Sequence, residues 1–178
     1  MERIICLVIG YLFGNIFQTG YWYGKFNHID IREYGSGNAG TTNVMRTLGK
    51  KAGIITYLLD TFKAVFAALA VHFLFGRNSD IEMLLFLYSG FGVVLGHNFP
   101  VYLKFKGGKG IAVSFGSLLG LIPMWYPVLS LAVCFLFFSL VIQISPNFYR
   151  TVAVYIVNWL IIVFSETNLP KAVHIGVG

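Results

Sequence analysis

The chain has 178 residues, of which 57% are hydrophobic and 11% are charged, and its formal net charge at pH 7 is +6. Soluble domains carry roughly 25% charged residues. The composition therefore excludes an ordinary water-soluble domain and indicates a single integral membrane domain over residues 1–178. The positive charge favours membrane lipids with anionic headgroups, or anionic substrates, as partners. Nucleic acid is not expected as a partner, because the basic residues lie between apolar segments.

Six apolar segments follow one another along the chain, and each is a candidate transmembrane helix. A span needs roughly 20 apolar residues. We therefore predict an all-α membrane protein, a polytopic bundle of about six transmembrane helices, of which the sixth is short for a span. The predicted spans are residues 4–23, 52–75, 81–95, 111–125, 127–144 and 151–164. Gly10-x-x-x-Gly14 and Gly116-x-x-x-Gly120 are spacings that let two helices approach closely.

The basic residues of the connecting loops predict the orientation of this bundle. Nine of them follow spans one, three and five, and three lie on the other side. Because positively charged loops are retained in the cytoplasm, loops 25–51, 96–110 and 145–150 are predicted to be cytoplasmic. The nine are Lys25, Arg32, Arg46, Lys50, Lys51, Lys104, Lys106, Lys109 and Arg150, and the three are Arg3, Arg77 and Lys171.

The first long loop contains a run of small residues. Residues 35–43 read Gly-Ser-Gly-Asn-Ala-Gly-Thr-Thr-Asn. Glycine lets the backbone turn its N–H groups toward one point, which forms a nest for an anion. Hydroxyl and amide side chains add neutral donors, and an arginine can add charge-assisted hydrogen bonds to a phosphate. The alternative is a flexible, solvated loop. The candidate phosphate-binding residues are Ser36, Gly37, Asn38, Asn43 and Arg46.

A second loop combines glycine with lysine. Residues 104–110 read Lys-Phe-Lys-Gly-Gly-Lys-Gly, so three glycines surround Lys109. The spacing is not that of a P-loop, and nucleoside triphosphate hydrolysis is not expected. The pattern predicts a second site for a phosphate, whereas the alternative is a basic anchor at the level of the lipid headgroups. The candidate binding residues are Lys104, Gly107, Gly108, Lys109 and Gly110.

Three of the titratable residues in or next to the apolar segments are candidates for chemistry. His97, at the end of the third span, is the best candidate for acid–base work because histidine titrates near neutral pH; the alternative is a structural hydrogen-bonding group. Asp60 and Lys63 lie one helical turn apart, and charges within a membrane are rarely left unpaired. They form an internal ion pair, or line a polar cavity open to the loops, and one pair can do both. The histidines form no metal-like cluster, so we expect neither a metal site nor a cofactor.

Taken together, these motifs resemble those of a known family. Residues 35–43, Asp60-x-x-Lys63, and Gly96-His97 with residues 105–110 are similar to the motifs of the bacterial acyl-phosphate:glycerol-3-phosphate acyltransferase family, over roughly residues 1–150. The resemblance implies an acyltransferase of phospholipid biosynthesis in the inner membrane. Such an enzyme transfers an acyl group from acyl phosphate to glycerol 3-phosphate and releases lysophosphatidic acid and phosphate. The resemblance implies no protein nucleophile, and an acyl chain held in a groove between spans.

The same resemblance implies roles for particular residues. Ser36 and His97 would be the catalytic candidates, and Gly107, Gly108 and Lys109 would belong to the glycerol 3-phosphate site. The first motif, with Ser36, Asn38, Asn43 and Arg46, would hold a substrate phosphate.

This chain departs from the family at its C-terminal end. The family usually has seven spans, followed by a His-Arg-x-Asn-Ile-type motif, and residues 171–178 carry no such motif. We therefore expect an atypical or truncated C-terminus. The departures leave open a non-catalytic relative that binds phosphorylated lipid precursors. A transporter of phosphorylated solutes is a weaker alternative, which an intramembrane Asp60–Lys63 pair would suit.

Overall fold

The computed structural model describes residues 1–75, 82–119, 126–142 and 147–168, and these residues form α-helices joined by loops, with no strand among them. The chain divides into two compact units, Met1–Gly120 and Leu121–Gly178. The first unit contains α1 (Glu2–Ile16), α2 (Thr19–Phe26), α3 (Thr41–Leu48), α4 (Lys50–Phe75), α5 (Glu82–Asn98) and α6 (Ile111–Leu119). The second contains α7 (Tyr126–Leu136) and α8 (Asn147–Asn168).

The helices match the predicted spans in position, with differences in length. Among the described residues, three helical segments are long and apolar enough to cross a membrane. They are Glu2–Phe26, Lys50–Phe75 and Glu82–Leu103. Helix α8 has 22 residues, so the sixth segment is longer than the predicted 151–164. Residues 76–81, 120–125, 143–146 and 169–178 lie outside the described residues. Parts of spans three to five, Gly120, Arg77 and the C-terminal segment fall there, and the number of spans stays a prediction.

Helices α1 and α5 touch through glycines on both sides. A Cβ added at Gly10 or Gly14 would overlap the carbonyl oxygen of Ser89 or Val93 on α5, and one added at Gly92 or Gly96 would overlap backbone atoms of α1. The Gly10-x-x-x-Gly14 spacing therefore lies at a close helix contact. The reciprocal Gly92-x-x-x-Gly96 on α5 gives the contact its second half. Such contacts associate membrane helices because lipid supplies no hydrophobic force to do so.

The predicted first span is broken into two helices. Helix α1 ends at Ile16 and α2 begins at Thr19. Carbonyl groups freed by a break inside a membrane need other donors, since each unsatisfied group costs several kcal/mol. Side chains supply them: Gln18 Nε2 donates to the Gly14 carbonyl at 2.8 Å, Trp22 Nε1 to Ile16 at 3.3 Å, and Lys63 Nζ to Phe17 at 2.7 Å.

The other helix contacts use small and polar residues. Gly53 on α4 packs against Met45 of α3, and Gly116 on α6 packs against the backbone of Thr61 on α4. Within the second unit, Ser130 on α7 donates a 2.8 Å hydrogen bond to the buried Asn158 of α8. In the first unit, α4 packs against both α3 and α6 and is the central helix.

The glycine contact yields a stability prediction. Gly14→Ala places a methyl group on the Val93 carbonyl oxygen. Overpacking of this kind costs about 1–3 kcal/mol, so the unfolding midpoint in detergent should fall. Leu12→Ala is the matched control, because Leu12 is exposed on the same helix. A midpoint lowered equally by both substitutions would show that α1 and α5 are not held together at Gly14.

Candidate functional site

The first glycine-rich loop is held in shape by one buried amide. Asn43, on α3, donates from Nδ2 to the carbonyl oxygens of Ile31 and Tyr34, each at 2.9 Å, and accepts from the Ser36 N–H at 2.9 Å. Gly35 and Gly37 take φ values of 56° and 68°, a left-handed conformation that costs glycine little. All three hydrogen bonds of the Asn43 side chain are made to backbone groups of residues 31–36, so this side chain fixes the conformation of the loop.

An ion pair fastens this loop to the second one. Arg32 donates from Nε and Nη2 to the carboxylate of Asp30, at 2.9 and 2.7 Å, and from Nη1 to the Leu103 carbonyl at 3.1 Å. The hydrogen bonds from Arg32 lower the pKa of Asp30 to about 2. Asp30 is therefore charged at neutral pH and holds the guanidinium in place, which keeps the two loops at the same end of the first unit.

The second glycine-rich loop lies directly on the end of α5. The N–H groups of Gly107 and Gly108 donate to the carbonyl oxygens of Asn98 and His97, at 3.2 and 3.0 Å. A Cβ at Gly107 would overlap the His97 carbonyl, and one at Gly108 would overlap Nε2 of the His97 ring. These two glycines are thus required for close packing, and their N–H groups point into the protein as a cap for the helix.

The two loops meet at Gly40. A Cβ built on Gly40 would lie 3.8 Å from the Cα of Gly108 and 3.9 Å from the amide nitrogen of Lys109. Gly40 is also the residue before α3. The first N–H groups of a helix have no acceptor within it and carry a partial positive charge. The beginning of α3, the backbone of Lys109 and the exposed Ser36 therefore lie at one end of the bundle, where an anion would find several donors.

Beneath the second loop lies a buried cluster of three titratable side chains. Lys63 Nζ donates to Asp60 Oδ1 at 2.8 Å and is 2.8 Å from Nδ1 of His97. The side chains of Lys63, Asp60 and His97 are 4%, 1% and 3% exposed. The internal ion pair predicted for Asp60 and Lys63 matches this arrangement, because the ammonium donates to the carboxylate and both side chains are buried.

An apolar groove of about 430 Å³ runs between the α1–α2 break and α4. Its lining is largely aromatic, with Lys63 and Thr19 as polar residues: Phe13, Phe17, Thr19, Trp22, Tyr23, Phe26, Leu59, Phe62, Lys63 and Phe66. Because Lys63 also contacts His97, the groove and the second loop are separated by only the buried cluster.

The remaining predicted site residues differ in exposure. Ser36, Gly37, Arg46 and Lys104 are exposed, and Asn38 and Lys109 are half-buried. Asn38 accepts a hydrogen bond from the Gly40 N–H at 2.9 Å, Lys104 adopts a left-handed φ of 54°, and Gly110 has a φ of 78°. The structure thus brings Asn38, Gly40, Gly108 and Lys109 together. Ser36 is exposed on the first glycine-rich loop, and Arg46 is exposed on α3, the helix that follows this loop.

Sequence reasoning missed Gln18. Its side chain is fully buried, and Nε2 lies 2.8 to 3.2 Å from the carbonyl oxygens of Gly14, Gly96 and His97. It therefore joins the helix break to the support of the second loop. The available signal was an amide side chain within a predicted apolar span, which also contains Asn15.

Comparisons with known proteins agree with this architecture. A family model described as glycerol-3-phosphate acyltransferase matches residues 4–177. A glycerol-3-phosphate acyltransferase of Streptococcus thermophilus is 46% identical over 132 residues, 74% of this chain and 59% of that protein. One of Streptococcus agalactiae is 44% identical over 127 residues, 71% of this chain and 57% of that protein. The chain thus spans less than two thirds of the length of these relatives.

Solved structures match over nearly the whole chain. The crystal structure of PlsY, an integral membrane glycerol 3-phosphate acyltransferase, in its glycerol 3-phosphate form has a TM-score of 0.72 and 28% identity, covering 99% of this chain and 84% of that one. Its lysophosphatidic acid form has a TM-score of 0.69 and 30% identity, covering 99% and 85%. The prediction of an all-α membrane protein is confirmed, and the chain belongs to the glycerol-3-phosphate acyltransferase family.

Proposed function

We propose that this protein transfers an acyl group from acyl phosphate to glycerol 3-phosphate, giving lysophosphatidic acid and inorganic phosphate. The observation that supports it most is the meeting of the two glycine-rich loops at Gly40 and Gly108. A reaction between two phosphate-bearing substrates needs two anion sites side by side, and each loop offers donors for one. The family match, and the relatives' names, favour glycerol 3-phosphate as the acceptor.

The proposed reaction needs no covalent intermediate with the protein. A hydroxyl oxygen of glycerol 3-phosphate attacks the carbonyl carbon of the acyl phosphate, and an ester bond forms. The bond between that carbon and the phosphate oxygen breaks, and the departing phosphate takes the hydroxyl proton. The protein contributes position and charge stabilisation, which are large terms when the donors are preorganised. No metal or cofactor enters this scheme.

Each group of site residues has a part in this scheme. The ammonium of Lys109 and the loop around it would hold the phosphate of glycerol 3-phosphate. The first N–H groups of α3, the hydroxyl of Ser36 and the guanidinium of Arg46 would hold the acyl phosphate. Asn43 would act indirectly, because its side chain is committed to the loop backbone.

The apolar groove fits the acyl chain of the donor. Its volume of about 430 Å³ lies within the roughly 300–1,000 Å³ typical of ligand pockets. It is lined by aromatic side chains of α1, α2 and α4 and reaches the buried cluster under the second loop at Lys63. A donor with its chain in this groove would carry its phosphate toward the loops.

The same geometry argues against transport. A transporter of phosphorylated solutes would use Asp60 and Lys63 to bind its cargo, but the three N–H groups of Lys63 all have protein acceptors. The non-catalytic relative remains the other outcome of the activity test below. We further propose that the protein lies in the inner or plasma membrane, with both glycine-rich loops facing the cytoplasm, where they would bind glycerol 3-phosphate.

The main test is an acyl-transfer assay on the purified protein. We expect transfer from acyl phosphate, and not from acyl-CoA, to glycerol 3-phosphate. Lys109→Ala removes a charge-assisted hydrogen bond worth about 1.5–3 kcal/mol, so the KM for glycerol 3-phosphate should rise roughly tenfold to a hundredfold. Lys51→Ala, an exposed lysine at the start of α4, is the control. Binding of both substrates without transfer would identify a non-catalytic relative.

The groove gives a prediction about chain length. Phe66→Trp enlarges a side chain of the groove lining that lies beyond Lys63 on α4, toward the end of the helix away from the loops, so the far end of a long acyl chain should lose room. We expect kcat/KM for hexadecanoyl phosphate to fall at least about tenfold, equal to about 1.4 kcal/mol, while octanoyl phosphate changes little. Leu12→Trp, which enlarges an exposed side chain of α1 outside the lining, is the control. An equal fall in kcat/KM with both acyl phosphates would show that the acyl chain does not bind in this groove.

The orientation is tested by labelling. Single cysteines at Lys51 and Arg77, in a background with Cys6 and Cys134 replaced by alanine, should react with an impermeant thiol reagent from opposite sides of the membrane. The cysteine at position 51 should react only when the reagent has access to the cytoplasmic side of the membrane. Reaction of both positions from one side would contradict the nine-to-three distribution of basic residues.

A further inference from the structure

The buried ammonium of Lys63 has its hydrogen bonds fully committed. An ammonium has three donors and no acceptor. Lys63 Nζ meets the Phe17 carbonyl at 2.7 Å, Asp60 Oδ1 at 2.8 Å and His97 Nδ1 at 2.8 Å. The number of acceptors equals the number of protons. With Lys63 protonated in its ion pair with Asp60, Nδ1 of His97 accepts the third hydrogen bond and carries no proton.

This fixes the chemical form of the His97 ring. A neutral imidazole with an unprotonated Nδ1 carries its proton on Nε2. Nε2 is the atom that a Cβ at Gly108 would overlap, so it faces the second glycine-rich loop. In this form the ring has one lone pair, and Lys63 occupies it. A general base needs a free lone pair within reach of the proton that it takes, and His97 has none.

The main chain of His97 holds the same loop. Its carbonyl oxygen accepts from the Gly108 N–H at 3.0 Å and from Nε2 of Gln18 at 3.1 Å. Gly108 thus rests on both the ring and the carbonyl group of one residue. Any rotation or shift of His97 would move Gly108, and with it the neighbouring Lys109 and the contact with Gly40.

We propose that Asp60 and Lys63 are positioning residues that act through His97, fixing its ring with the proton on Nε2 so that the ring packs against Gly108 and sets the position of the Gly107–Lys109 segment. The carboxylate of Asp60 accepts a hydrogen bond from the Lys63 ammonium, the ammonium donates to the His97 ring, and the ring packs against Gly108 of the second loop. His97 is then not a general base. The kinetic consequence rests on the proposed function, whereas the form of the ring does not.

The ring form is tested without any substrate. In protein labelled with ¹⁵N-histidine, the His97 signals are assigned by their loss in His97→Gln. We expect the shift of an unprotonated nitrogen at Nδ1 and of a protonated nitrogen at Nε2. In the charge-neutral double variant Asp60→Asn/Lys63→Met, the donor to Nδ1 is gone and the preference for this form should weaken. A proton on Nδ1 in the unaltered protein would overturn the proposal.

The kinetic test uses a substitution that keeps the hydrogen bonds but cannot accept a proton. Glutamine offers a carbonyl oxygen to Lys63 and a side chain that can still pack against Gly108, but its amide is not a base. We expect His97→Gln to keep kcat within about tenfold, with the main change in the KM for glycerol 3-phosphate. Loss of a general base costs about 10²–10⁴ in rate. A fall in kcat of a hundredfold or more, with KM unchanged, would overturn the proposal.

Two comparisons complete the test. His97→Ala removes both the acceptor for Lys63 and the ring that packs against Gly108, so it should raise the KM for glycerol 3-phosphate further than His97→Gln does. Equal KM values for the two variants would contradict the supporting role. If the unaltered protein shows no acyl transfer, the proposed function fails, and the ring form measured by ¹⁵N shifts still decides whether Asp60 and Lys63 orient His97.

Discussion

The ammonium group of Lys63 lies inside an apolar bundle and must have an acceptor for each of its protons. It finds them on three separate parts of the first unit: the carbonyl of Phe17, the carboxylate of Asp60 and the ring of His97. A buried charge without such partners costs several kcal/mol. The break between α1 and α2 supplies one acceptor, and the end of α5 supplies another. The path of the first span and the support of the second loop both depend on this one group.

Glycine serves two different physical purposes in the first unit. At Gly35, Gly37 and Gly110 the backbone has a positive φ that other residues adopt only at a cost. At Gly10, Gly14, Gly92 and Gly96 the reason is the approach of two helices. Gly107 and Gly108 belong with the second group, because they lie against the backbone and ring of His97. A glycine-rich loop is therefore not by itself an anion nest, since some of its N–H groups can be committed to a helix end.

The arrangement of apolar and polar surfaces suits the reaction proposed for it. The groove is lined by aromatic side chains of the apolar spans, whereas the loops carry N–H, hydroxyl and basic groups at one end of the bundle. A lipid-like donor and a water-soluble acceptor would meet where these surfaces adjoin. The buried cluster of Asp60, Lys63 and His97 lies at that junction, so it couples the position of the loop to the helices that form the groove.

The sequence alone determined the fold class, the family, and which loops carry the polar chemistry. Long apolar segments can satisfy their backbone in a membrane only as helices, and the motif residues are consecutive along the chain. The Gly10-x-x-x-Gly14 spacing places both glycines on one helix face, but such spacing is common by chance in glycine-rich spans, and the contact itself was shown by the structure.

Only the tertiary structure decided what those residues do. The hydrogen bonds that define the site join residues 34 positions apart for Lys63 and His97, and 79 apart for Gln18 and His97. No local pattern reports such pairs. The amide of Asn43 turned inward, the N–H groups of Gly107 and Gly108 capped α5, and the first span broke at Gln18. Each followed from donors and acceptors that distant segments brought within 3.2 Å of one another.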